Sequence, residues 1–232
     1  GTDPVWHVLL YRPDTSRPAY TNDFYRDSSL RLTWQVSKKD KVAASYSTQD
    51  DCNCPIDDLA AGGNVPAPEG TGYHYYQPNY MVTSSWARPA TNRLLFEAGL
   101  GASVGAINAK LPPGVSELDI AITELSTNTR YGSRGIGLGN ASSYSTNNIA
   151  KQLTERFSVS YITGTHSLKV GVNLLNYWQR HRNFQAFNQI HGARAYSFRN
   201  GIPVSVTVFA TPFGVAHQTV TEGFYAQDQW TM

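Results

Sequence analysis

Ser28-Ser29-Leu30-Arg31-Leu32-Thr33-Trp34-Gln35-Val36 runs into Ser37-Lys38-Lys39-Asp40 and out through Lys41-Val42-Ala43-Ala44-Ser45-Tyr46-Ser47-Thr48-Gln49. Apolar and polar residues alternate along both arms, and a short polar turn joins them. Period two is the mark of a strand, because successive side chains point to opposite faces of a sheet. Leu30, Leu32, Trp34 and Val36 thus share one face, and Arg31, Thr33 and Gln35 the other. In the second arm Val42, Ala44 and Tyr46 stand against Ala43, Ser45 and Ser47.

The same rhythm returns twice. Runs from about Tyr80 to Trp86 and from Arg93 to Gly101 flank Arg88-Pro89-Ala90-Thr91-Asn92. The second of them sets Leu94, Phe96, Ala98 and Leu100 opposite Arg93, Leu95, Glu97 and Gly99. Leu153 to Ile162 and Ser167 to about Tyr177 flank Thr163-Gly164-Thr165-His166. There Phe157, Val159 and Tyr161 alternate with Arg156, Ser158 and Ser160, and Leu168, Val170, Val172 and Leu174 with Lys169, Gly171 and Asn173. A seventh strand, Gly223 to Trp230, breaks pattern at Gln227-Asp228-Gln229, where alternation assigns no faces. Val5 to Tyr11, Glu117 to Thr123 and Ile202 to Phe209 are candidate extra strands that extend loops as hairpins.

Between the hairpins lie long polar connections, about 50–79, 102–152 and 179–222. Loops of that size argue against a compact soluble domain, whereas tight turns on one rim and long loops on the other are the plan of an outer-membrane barrel. Alternation alone also suits a β-sandwich. Strand length separates the two: these runs approach the about 9–11 residues of a tilted membrane strand, against about 5–6 in soluble sheets. Aromatic placement agrees. Trp34, Trp86, Tyr161 and Trp230 sit near short turns, and Tyr46, Tyr177 and Trp178 near long loops, as two interfacial belts require. The reading is all-β: an antiparallel up-and-down transmembrane barrel segment of about seven long strands, incomplete, spanning 1–232 as one partial barrel domain. Arg31, Arg93, Glu97, Arg156 and Lys169 then line the lumen. Val170→Arg is expected to destabilise, and Lys169→Glu to be tolerated.

Composition sets limits. Nineteen Gly and 12 Pro with few helix-forming runs point to β structure, and a formal charge of +2 offers no basic field for nucleic acid. No run reaches the about 18 apolar residues of a membrane helix. Gly1-Thr2-Asp3-Pro4 does not read as a signal peptide, and Trp230-Thr231-Met232 stops inside a strand, so a fragment is expected.

Gly101-Ala102-Ser103-Val104-Gly105 matches the pattern of a hydrolase nucleophile elbow, but Pro112-Pro113 leave no room for the helix it needs. A small-residue loop is expected there, and no catalytic residue is assigned. Gly135-Ile136-Gly137-Leu138-Gly139 lacks the spacing and the flanking strand and helix of a phosphate loop. Cys52-Asn53-Cys54 with His74 falls short of a zinc set, leaving a loop-tip disulfide or two free thiols, with no metal and no cofactor. The densest aromatic and polar clusters are Tyr73-His74-Tyr75-Tyr76 and Trp178-Gln179-Arg180-His181-Arg182. Tyr73, His74, Tyr75, Tyr76, Trp178, Arg180, His181 and Arg182 are therefore candidate ligand contacts, by stacking and by guanidinium hydrogen bonds; upper-belt and loop-base positions are the alternative.

Gly201-Ile202-Pro203-Val204-Ser205-Val206-Thr207-Val208-Phe209-Ala210-Thr211-Pro212 and Gly223-Phe224-Tyr225-Ala226-Gln227-Asp228-Gln229-Trp230-Thr231-Met232 resemble the barrel of TonB-dependent outer-membrane receptors. More narrowly they are similar to the Oar-like branch, whose members carry an N-terminal carboxypeptidase-regulatory-like domain. Ser28 to Thr48, the Cys-Asn-Cys-Pro loop at 52–55 and Gly164 to Asn173 fit the same branch. The resemblance implies a barrel of about 22 strands closed around a plug. It also implies these partners: outer-membrane lipid, a plug domain of the same parent chain, the TonB complex through the missing N-terminal part, and an unidentified solute. The function implied is import of a scarce, bulky solute across the cell outer membrane. A passive porin, an autotransporter barrel and a secreted β-sandwich that binds glycan are the alternatives.

Overall fold

The computed structural model of the chain describes residues 20–55, 65–116, 119–133, 148–183, 194–208 and 213–231. In chain order the strands are β1 (Asp23–Gln35), β2 (Lys41–Asn53), β3 (Val65–Pro66), β4 (Tyr73–Pro89), β5 (Leu94–Lys110) and β6 (Ala121–Glu124), then β7 (Thr129–Tyr131), β8 (Asn148–Thr163), β9 (His166–Asn183), β10 (Arg194–Arg199), β11 (Ile202–Val208) and β12 (Phe213–Trp230). Seven of them form one sheet in the order β1-β2-β4-β5-β8-β9-β12, every neighbour antiparallel. Among the described residues β1 and β12 are open edges, so the sheet is an unclosed arc of up-and-down strands.

The register carries the stagger that closure of a barrel needs. One row perpendicular to the strands passes Gln35 and Lys41, at the very ends of β1 and β2. It crosses Ala87 and Glu97, then Ser158 and Gly171, five residues in from the third turn. A climb of about five residues over four strand spacings, about 17 Å against about 19 Å, is a tilt of about 40°. Membrane barrels tilt their strands by about 35–45°.

Each long strand runs farther than its alternation indicated, chiefly toward the long-loop side. β4 begins at Tyr73 rather than Tyr80, β5 continues to Lys110, β8 begins at Asn148 and β12 at Phe213. Where both faces of a sheet meet water the backbone ladder continues without apolar alternation to mark it. Gly101 to Gly105, expected in a loop, therefore lies within β5, where Ser103 pairs with Met81 and Gln152. Gln77 and Pro78 sit at register shifts on both sides of β4, the place a strand tolerates a residue with no N–H to give.

The short turns are tied by side chains. Ser37 Oγ accepts the N–H of Lys39 at 3.1 Å and of Asp40 at 3.0 Å, and donates to the Asp40 carboxylate at 2.6 Å. Asp40 also receives the Trp86 indole N–H at 3.0 Å. Those bonds, with Arg88 nearby, hold its carboxyl below the usual range. The second turn spans 90–93, so Arg88 and Pro89 belong to β4, and Lys39 donates to the Ala90 carbonyl across to it. The third is the two-residue Gly164-Thr165, with Gly164 at φ 56°. Thr165 Oγ1 accepts the Trp230 indole N–H at 3.1 Å.

The long connections are not shapeless. β3, β6, β7, β10 and β11 make a second sheet in the order β11-β10-β6-β7-β3, so all three connections contribute to it. The two expected extra strands at 117–123 and 202–209 correspond to β6 and β11; Val5 to Tyr11 and Gly135 to Asn140 lie outside the described residues. Ala67, Ile122, Tyr131 and Phe198 are its buried core, with Tyr196 packed edge-on to Phe198 at 6.4 Å. Asn200 and Gly201, at φ 54° and 75°, close the β10–β11 hairpin in the left-handed conformation that two-residue hairpins favour.

Glu124 pins that hairpin. Its carboxylate accepts the N–H of Asn200 at 2.9 Å, of Gly201 at 2.9 Å and of Ser126 at 3.0 Å, and the Ser126 hydroxyl. Partial desolvation alone would raise this carboxyl; the four hydrogen bonds outweigh it and lower it from the usual 4.5 to about 2. A depressed acid contributes stability that is complete above the unfolded value and is lost as pH falls through the folded one. The tyrosine near-ultraviolet dichroism of Tyr131 and Tyr196 should accordingly decline between about pH 4.5 and about pH 2. In Glu124→Gln it should be weaker at neutral pH and flat across that window. Identical profiles in the two proteins would remove Glu124 from this role.

Candidate functional site

The register sorts the seven-stranded sheet into two chemically different faces. Leu32, Ala44, Ser84, Leu100, Glu155, Leu174 and Glu222 share one, as do Trp34, Val42, Trp86, Ala98, Phe157, Val172 and Phe224 in the next row. Large apolar side chains stand on it with no protein over them: Phe224 is 79% exposed, Trp34 67% and Leu32 63%. On β8 and β12 this band ends at Glu155 and Glu222, eight residues along each strand from the short-turn end. Along a strand tilted by about 40° that is about 21 Å, close to the about 25 Å apolar band of an outer-membrane barrel.

The unassigned end of β12 is settled by pairing. Gln227 and Gln229 lie with Lys169 and Ser167, whereas Asp228 lies with Leu168 at the short-turn rim. There Asp228 meets His166 Nδ1 at 2.7 Å, and His166 stacks on Trp230 at 6.1 Å. Trp34, Trp86, Tyr161 and Trp230 stand on the apolar face near the short turns, where one belt is expected. Tyr177 is a correction: it shares a face with Gln179, whose Oε1 accepts its hydroxyl at 2.8 Å, and so looks inward, while neighbouring Trp178 looks outward.

The opposite face is polar and concave, with a depression of about 420 Å³ opening on it. Arg31, Glu97, Arg156 and Lys169 all lie there by register. Arg93 stands in the second turn just before β5, at the rim. Glu97 Oε2 receives Lys169 Nζ at 2.7 Å and the Ser158 hydroxyl at 3.3 Å. The expected tolerance of Lys169→Glu is thereby overturned, because that change sets two carboxylates against each other.

Two glycines shape the wall in a way that composition does not reveal. Arg156 lies across Gly99 on the adjacent strand, where a Cβ would collide with its side chain. The Tyr225 ring lies over Gly171, within 2.5 Å of where a Cβ would stand, with the Phe157 carbonyl 2.7 Å away. Gly171→Ala should therefore cost about 1–3 kcal/mol by overpacking. Gly101→Ala, whose nearest heavy atom is 3.9 Å off, should be neutral in the same thermal unfolding assay. Equal shifts at the two positions would contradict this packing.

The two candidate clusters lie on different strands of the rim. Tyr73, His74, Tyr75 and Tyr76 open β4 between the ends of β2 and β5. His74 is buried, and Lys110 Nζ sits 4.3 Å from the Tyr75 ring centre. Trp178 and Arg180 lie on the outward face of β9, Trp178 beneath Lys151 Nζ at 5.6 Å, and His181 and Arg182 pair with Val215 and Gly214. Three strand spacings, about 14 Å, part β4 from β9, so the clusters do not form one pocket. Cys52 and Cys54 are joined in a disulfide at the end of β2 rather than at a loop tip, which removes both thiols from any metal set. Such a bond suits the oxidising side of a bacterial envelope.

Long tilted strands with one apolar uncovered face and one polar concave face define the wall of a transmembrane β-barrel. The family model described as outer membrane beta barrel domain matches residues 14–232, and the chain belongs to that family, which places it in the outer membrane and against its lipid. No curated protein and no solved structure matches the chain.

Proposed function

We propose that the chain is a wall segment, 1–232 forming one partial barrel domain, of a TonB-dependent receptor that imports a scarce, bulky solute. The observation that carries this reading is the second sheet: three connections on one rim fold together around Phe198, giving the barrel a built outer platform rather than loose loops. The resemblance of Ser28 to Thr48 and of Gly223 to Met232 to Oar-like receptors supports it, as does the polar concave wall. A plug from the same parent chain would occupy the lumen beside that wall, and TonB would act on that plug. Tyr73, His74, Tyr75 and Tyr76 on one side, and Trp178 with Arg180, His181 and Arg182 on the other, are the proposed capture contacts. No residue is given a catalytic role: Ser103 sits mid-strand, not at the strand-to-helix corner a nucleophile elbow needs.

Binding of the periplasmic domain of TonB to the full-length parent protein in detergent tests the reading. Saturable binding is expected. Its absence, joined to open-channel conductance in planar bilayers, would mean a passive porin instead.

A further inference from the structure

The inner wall carries more positive charge than it can neutralise. Within the membrane band, Arg31, Lys41, Arg156 and Lys169 face inward against the single carboxylate Glu97 among the described residues. Lys169 already holds that carboxylate. Arg31 and Arg156 have no ion pair among the described residues, yet both line the 420 Å³ depression. Its floor is made of small side chains: Ser45, Thr83, Ser85, Gly99 and Gly101 lie between the two arginines. The Ser45 and Thr83 hydroxyls are hydrogen-bonded to each other at 2.6 Å, which orients them.

The arginines sit four strand spacings apart, about 19 Å between backbones. Arg156 lies across Gly99, one spacing nearer Arg31, so Gly99 sets the position of one fork. We propose that this depression is a seat for a small polyanionic solute, its carboxylate or phosphate groups held by the Arg31 and Arg156 forks over a glycine and hydroxyl floor. Guanidinium forks match those anions in geometry as well as charge. Cationic rings serve the same end in anion and phosphate pores. A floor without bulk leaves the space between the forks open, and its volume falls within the about 300–1,000 Å³ of small-molecule sites. The proposal rests on the concave face being a passage wall, but not on coupling to TonB.

Calorimetric titration of the full-length protein in detergent with inorganic pyrophosphate tests the seat directly. Binding should weaken by about tenfold or more in Arg31→Gln and in Arg156→Gln, and should decline with added salt. Gly99→Ala keeps every charge but displaces Arg156, and should weaken binding too. Lys41→Gln removes an inward cation outside the depression and should leave it intact. Faster electrophoretic migration before heating than after certifies which variants are folded. A diffuse field, and not a seat, is indicated if Lys41→Gln equals Arg31→Gln while Gly99→Ala changes nothing. Absence of pyrophosphate binding in the parent protein overturns the proposal outright, and TonB binding remains a separate readout for the transport reading.

Discussion

Val170→Arg is expected to destabilise the folded barrel by about 2–4 kcal/mol, the penalty for an arginine at the bilayer midplane of an outer-membrane barrel. The position follows from register. Val170 lies between Val159 on β8 and Ala226 on β12, with Leu168 and Val172 two residues away on the same face. It is 52% exposed with no protein above it, about halfway between the third turn and the Glu155–Glu222 row. In lipid that exposure is burial, and a guanidinium there must drag water in or bend toward the rim.

The neighbouring residue supplies the control. Lys169 stands on the opposite, polar face, so Lys169→Gln loses only the ion pair to Glu97. Both partners are more than a third exposed, at 36% and 41%, and such pairs are worth about 0–1 kcal/mol. Urea titration of the full-length protein in phosphocholine vesicles, followed by tryptophan fluorescence, gives both values. Similar losses at 169 and 170 would invert or abolish the facing derived from the register.

What the sequence disclosed tracks where the solvent differs between faces. Leu30, Leu32 and Trp34, or Phe157, Val159 and Tyr161, alternate because lipid touches one side and water the other. That is enough for seven strands, three turns and the shared polar face of Arg31, Glu97, Arg156 and Lys169. Above Arg26 and Asp50, which pair with each other, both faces are wet and alternation stops while the ladder goes on. The upper halves of β4, β5, β8, β9 and β12 were therefore read as loop. β3, β7 and β10 escape for a different reason: they are two, three and six residues long, and Tyr196 on β10 finds its partner Ile122 across more than seventy residues of chain. The glycine seats were hidden likewise, since nothing near Gly99 or Gly171 in sequence names Arg156 or Tyr225 as the residue opposite. The candidate ligand residues were legible as chemistry but not as a site, because strand order, which separates β4 from β9, is not written in either cluster.

Phe198→Ala is expected to unfold the second sheet and leave the barrel standing. Phe198 is 1% exposed, the one large side chain among the described residues that is fully enclosed, and its carbonyl accepts the Leu125 N–H at 2.7 Å. Truncating a buried phenylalanine costs about 3–5 kcal/mol. A sheet whose buried core is Ala67, Ile122, Tyr131 and Phe198 has little else to offset that loss. Its strands are two to seven residues long, and small sheets hold together only through their packed face. The seven-stranded ladder, by contrast, is joined by its own pairs and involves no strand of the second sheet. Cells displaying the full-length Phe198→Ala protein should therefore show rapid nicking by external protease within residues 111–131 and 194–208, where the wild type resists. The same protein should still migrate faster before heating than after, the mark of an intact barrel. Phe198→Leu, which keeps most of the buried volume, should restore protection. Loss of the fast-migrating form together with the nicking would mean instead that the platform and the wall fold as one unit, and that capture at the rim and the stability of the passage cannot be altered separately.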